Sequence, residues 1–148
     1  MALADISDVT THLPLDRIPT VGSDVDGYQL SVERMVKGYL VGIFTPATLA
    51  TWDTPTNTPV AIREIAGKLI AGLRYRNRTS EENAVGVEDI NYGQRLYNEA
   101  MSALNDIRMG NLSLVDVTSG EVITTDDAVG PQFFPSDNAP MFTIGAQF

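Results

Sequence analysis

The stretch from Thr58 to Arg78 constrains this chain more than any other, because it reads as one long helix with a wide apolar face. Thr58 offers a hydroxyl to cap the first turn, and Pro59 suits a first helical position, where no N–H is needed. Ile62, Ile65, Ala66, Leu69, Ile70 and Leu73 recur at steps of three and four, which gathers them on one face. Gly67, Ala71 and Gly72 keep part of the girth thin, so that another helix can approach closely. Arg74, Arg76 and Arg78 place positive charge at the negative end of the helix dipole. With another long helix on either side, this one is expected at the centre of a bundle.

The flanking helices follow from the same periodicity. Ala4 to Leu13 reads as a short helix capped by Asp5, with Ile6, Val9 and Leu13 apolar. Pro14, Pro19 and Gly22 make the following segment a connection. A second helix opens at Ser23 and carries Val25, Tyr28, Val32, Met35, Val36, Tyr39, Leu40 and Ile43 on one stripe. It is expected to end near Phe44, since Pro46 disfavours helix at Thr45. Ala47 to Trp52 allows one more turn, and Asp53 to Asn57 is turn chemistry. Beyond the central helix, Thr79 to Gly86 reads as an exposed polar loop. Glu88 or Asp89 opens the third long helix, with its stripe on Ile90, Leu96, Tyr97, Ala100, Met101, Leu104 and Ile107. Gly110 ends it in the left-handed position that favours glycine.

After Gly110 the period changes. Leu112, Leu114 and Val115 to Val117, then Val122 and Ile123, predict a β-hairpin turning at Ser119 and Gly120. The expected class is therefore all-α: a small helical bundle of three longer helices plus a short N-terminal helix over 1–111. A C-terminal β-hairpin over 112–125 and an extended arm over 126–148 complete it. The arm shows neither helical nor strand period, yet four of the five phenylalanines lie in its last sixteen residues. Burying four Phe side chains contributes about 6–12 kcal/mol gross, at about 1.5–3 each. Ordering some twenty residues costs about 1–2 kcal/mol apiece. The arm is therefore expected to dock on a partner, with Phe133, Phe134, Met141, Phe142 and Phe148 as its contact residues, the alternative being an arm folded back on its own bundle.

Composition narrows the chemistry. With no cysteine and one histidine, His12, neither disulfides nor a zinc site of three or four N or S ligands is expected. Asp24, Asp26 and Gly27 are a fragment of a calcium loop, and a helix cap explains them better. No glycine-rich phosphate cradle occurs, and Glu81–Glu82 and Asp126–Asp127 read as solvated loop charge. The expectation is a non-enzyme with no cofactor and no metal. The net charge is −9, and no Lys or Arg follows Arg108, so most of the surface should repel duplex DNA. No apolar run approaches the ~20 residues of a membrane span, and the N-terminus lacks a signal peptide's basic flank, so a soluble, non-secreted chain is expected. Residues two apart point to different sides of a helix, so Arg74, Arg76 and Arg78 fan out. Dipole compensation and salt bridges to acidic loops come first for them, a seam with a neighbouring subunit's acidic face second, phosphate contact third.

Three runs carry a family resemblance: Val32 to Phe44 with its Gly38-Tyr39-Leu40, Thr58 to Arg76 ending Arg74-Tyr75-Arg76, and Tyr97 to Leu112 closing Met109-Gly110-Asn111. In this order, over about three quarters of the chain from Ile6 to Leu114, they resemble the head–tail connector proteins (adaptor or head-completion) of tailed bacteriophages. The resemblance implies a structural protein of the virion, made in the host cytoplasm and assembled as a ring, usually of twelve copies in that family, beneath the portal. Its partners would be the portal protein, neighbouring copies of itself, and the next head-completion or tail protein. DNA would pass through without sequence-specific binding, and no membrane would be involved. The hairpin and the aromatic arm depart from the shortest family members. A tail-completion protein one layer further down, and a small helical DNA-binding regulator gripping phosphates with Arg74 to Arg78, are the alternatives.

Overall fold

The computed structural model describes residues 3–13, 23–81 and 87–123. Within them the chain is mostly helical: α1 (Ile6–Thr10), α2 (Ser23–Leu40), α3 (Pro46–Thr51), α4 (Val60–Glu81) and α5 (Val87–Arg108), then a hairpin of β1 (Leu114–Val115) and β2 (Val122–Ile123). The arm over 126–148, with all its expected docking residues, lies outside the described residues. Among those described, no helix is long and apolar enough to cross a membrane.

The central position expected for the long helix holds. α4 packs along α5 and also meets α1 and α2, whereas α2 and α5 touch only slightly. Ile62, Leu69 and Ile70 of α4 meet Val32, Val36 and Leu40 of α2, Leu96, Leu104 and Ile107 of α5, and Val9 of α1 in one core. Trp52 closes the α2–α3 corner with its ring edge-on to Phe44, 5.5 Å between centroids. An edge-to-face pair of this kind adds to what burial alone supplies.

The thin face of α4 is used inside the protomer. A Cβ on Gly72 would stand 2.9 Å from the Gly93 carbonyl oxygen on α5, and one on Gly93 would stand 2.5 Å from the Tyr75 Cβ. The two helices thus touch backbone to backbone at this crossing. A Cβ on Gly67 would lie 2.7 Å from the Asp8 carbonyl oxygen, so α1 sits directly on the same helix.

Several boundaries differ from the sequence reading, each for a local reason. Thr58 does not cap α4: its fully buried hydroxyl donates back to the Thr54 carbonyl at 2.8 Å. The first helical bond instead runs from the Arg63 N–H to the Pro59 carbonyl at 3.0 Å. α2 stops at Leu40, where the Ile43 and Phe44 amides both turn back onto the Leu40 carbonyl. α3 takes over with Thr45 as its cap, its hydroxyl accepting from the Thr48 amide at 3.1 Å. α4 runs on to Glu81 through residues read as loop, and α5 already begins at Val87. In α1 the Asp5 cap is as expected, but Ile6 faces solvent.

Where α5 ends, Gly110 takes φ +76°, and the Asn111 and Leu112 amides fold back onto the Asp106 carbonyl. The hairpin pairs Leu114 with Ile123 and Val115 with Val122. Leu114 is buried in the core, which fastens the hairpin to the bundle. Its loop is longer than the two-residue turn expected. It spans 117–120, with Gly120 at φ +71° and the Asp116 carboxylate accepting from the Thr118 and Ser119 amides.

Candidate functional site

The basic end of α4 divides in the way a helix requires of residues two apart. Arg74 is only 7 % exposed and turned into the protomer, whereas Arg76 is exposed with its guanidinium 5.5 Å from the centre of the Tyr97 ring. The side chain of Arg78 lies outside the described residues. Of the three arginines expected at a subunit seam, Arg76 is the one the described surface presents. Burial of Arg74 is a departure from the expectation, since the apolar face of α4 wraps far enough round to enclose it.

Sequence reading missed the aromatic setting of this end. Tyr75 of α4 stands edge-on to Tyr92 of α5 at 5.2 Å, and the Arg95 guanidinium lies 5.1 Å over the Tyr92 ring. Tyr92 also reaches the turn after α1, donating its hydroxyl to the His12 carbonyl at 3.2 Å. The i, i+3 spacing of Tyr92 and Arg95 was the available signal. The helix to which Tyr92 would be joined could not be read from it.

An ionic seam fastens α1 across α4. Asp8 accepts two bonds from Arg63, at 2.9 and 3.1 Å, while its carboxylate also closes the capping box on Asp5. Burial by itself would raise the Asp8 carboxyl, but the bonds from Arg63 and the Asp5 amide outweigh it and hold it below its ordinary range. Lys68 reaches Glu64 at 3.2 Å and Glu99 at 3.7 Å. His12 sits half-buried beside them, and burial, then the Lys68 charge, lower its affinity for a proton. The seam is built from paired charges, and it holds elements together. Among the described residues, no three His, Cys, Asp or Glu side chains gather as metal ligands.

Among the described residues, apolar surface stands open on the hairpin and beside α3. On the hairpin, register puts Leu114 and Ile123 on the bundle side and Val115 and Val122 on the other. Val115, Val122 and Val117 are exposed there, and Met109 and Leu112 are exposed just before it. At the other turn of the chain, Lys37, Gly38 and Val41 of the α2 end face Pro46, Leu49 and Ala50 of α3 across an open groove of about 360 Å³. The hairpin valines were expected as strand residues, but the groove had no sequence signal, since it exists only because α2 ends four residues early and α3 turns back. No protein-family model, curated protein or solved structure matches the chain.

Proposed function

We propose that this chain is a structural adaptor of a tailed-phage head–tail connector, forming a ring below the portal that extends the DNA channel and joins head to tail components. The observation that supports this best is the hairpin. One strand residue, Leu114, is locked into the bundle, while Val115, Val117 and Val122 face outward immediately ahead of the phenylalanine-rich segment 126–148. A hairpin that is two-stranded among the described residues, with an apolar outer face, is suited to extension by another chain. On this reading the protomer is a helical block whose C-terminal quarter serves attachment.

Charge supports the same reading. No Lys or Arg follows Arg108, while Asp116, Glu121, Asp126, Asp127 and Asp137 do. An acidic wall lets duplex DNA slide, because nothing along it exchanges with the phosphate counterions. Arg76 supplies an exposed cation for a seam with an acidic neighbouring subunit.

Negative-stain imaging of purified virions, with this chain tagged, tests the proposal. Label confined to the junction beneath the portal, together with rings of the purified protein on a portal complex, is the expected result. A protein absent from virions that binds short duplex DNA with steep salt dependence would overturn it in favour of a regulator.

A further inference from the structure

Hydrogen bonding in the hairpin alternates residue by residue. The Asp116 N–H donates to the Glu121 carbonyl at 2.8 Å, which makes these two a bonded pair. Bonded and unbonded pairs alternate along an antiparallel ladder, so Val115 and Val122, opposed in register, direct their backbone groups away from each other. The alternation continues on either side of β1. The Leu112 amide donates to the Asp106 carbonyl and the Thr118 amide to the Asp116 carboxylate. The Ser113, Val115 and Val117 amides have no hydrogen-bond partner among the described residues, and all three side chains are exposed. β1 thus presents a free edge of three positions at steps of two, whereas β2 presents Val122 alone within the described residues.

We infer that β1 takes up, antiparallel, an extended segment of another protein in which apolar residues alternate with lysine or arginine. This deepens the adaptor reading and rests on it for the partner being a connector protein. The apolar positions follow from the outer face, since opposed residues of an antiparallel pair share a face and Val115 and Val117 offer only valine there. The basic positions follow from the other face, where Leu114 enters the core and Asp116 stands next to the edge. The Ser119 and Thr118 amides, at 2.7 and 2.8 Å, fix the Asp116 carboxylate without cancelling its charge, and they hold its carboxyl below the ordinary range. A second copy is the poorer occupant. Two β1 strands paired about Val115 would set their Asp116 residues on one face at a diagonal of about 7–8 Å, close enough to repel at physiological salt. No Lys or Arg follows Arg108, so the rest of this chain lacks the cations as well.

The test titrates nitrogen-labelled full-length protein with the capped peptide Val-Lys-Val-Lys-Val and follows its amide resonances. The Ser113, Val115 and Val117 amides should shift and exchange more slowly, while Val122 stays as it was. The peptide Val-Glu-Val-Glu-Val should bind about fivefold more weakly, the weight of a cross-strand charge pair reversed. N-methylation of the central valine, whose amide faces β1, should abolish binding, whereas N-methylation of a lysine, whose amide faces away, should leave it. Val115→Pro removes the donor at an edge position that tolerates proline and should weaken the peptide about tenfold. Should Val115→Pro lower the unfolding midpoint, the two N-methyl peptides read the same bond on the unaltered protein. Protection at Val122 instead of Val115, equal binding of the basic and acidic peptides, equal loss from either N-methyl group, or no shift at millimolar peptide would each overturn the inference. None of these outcomes depends on where the protein sits in a virion, which imaging reads, so the inference and the adaptor reading fail separately.

Discussion

Replacing Gly93 by alanine tests the helix crossing on which the whole bundle depends. The new Cβ would stand 2.5 Å from the Tyr75 Cβ and 3.2 Å from the Gly72 carbonyl oxygen. Carbon atoms settle at about 3.5–4.0 Å, so α4 and α5 must part by about 1 Å at their closest point. Neither obstacle can swing aside, since one is a Cβ fixed to the α4 backbone and the other is that backbone. Overpacking of this kind costs about 1–3 kcal/mol, and a shift across the main interface belongs in the upper half of that range. Alanine returns about 1 kcal/mol through helix propensity, which leaves a net loss of about 1–2 kcal/mol. Gly38→Ala is the matched control: it is also helical, but its Cβ meets nothing, so a gain of about 0.5–1 kcal/mol is expected. Urea unfolding followed by far-UV circular dichroism reads both. The two midpoints should move in opposite directions with unchanged slope. If Gly93→Ala is as well tolerated as Gly38→Ala, the two backbones do not meet at these glycines.

Leu69→Ala, at a fully buried site in α4, should cost about 2–5 kcal/mol in the same assay, and a near-zero shift would contradict its place in the core. The His12 proton affinity is lowered in the folded state, so the stability it contributes is complete above the ordinary histidine value of 6.5 and is lost as pH falls through the lower folded value. His12→Gln should therefore flatten part of the fall in unfolding midpoint between about pH 7 and pH 5, and an unchanged slope would argue against burial as the cause. The Asp8 carboxyl is likewise lowered from 3.8, so its contribution is complete above that value and disappears as pH falls through the folded one. Asp8→Asn should remove that part of the acid transition and loosen α1, measured by faster amide exchange at Val9 and Thr10. Arg76→Glu should weaken association between copies and lower the unfolding midpoint only slightly, by the loss of an exposed contact with the Tyr97 ring worth about 0.5–1 kcal/mol; Arg74→Glu should lower the midpoint more, because Arg74 is buried.

What the sequence by itself determined is the set of helices and which face of the three long ones is covered. Local periodicity is enough for that, because Val32, Val36 and Leu40, or Leu96, Ala100 and Leu104, can be buried only if the helix turns them together. The Asp5 cap and the left-handed Gly110 were equally legible, since each is decided within a few residues. Even the thinness of α4 at Gly67 and Gly72 was visible. Which neighbours it would receive was not: α1 on Gly67, and Gly93 of α5 on Gly72. Only the tertiary structure decided that Arg74 would go inward, and that Lys37, Val41 and Leu49 would face one another across a groove. These depend on atoms brought together from distant elements, and a one-dimensional pattern carries the direction of a side chain around its own helix but not what stands opposite it.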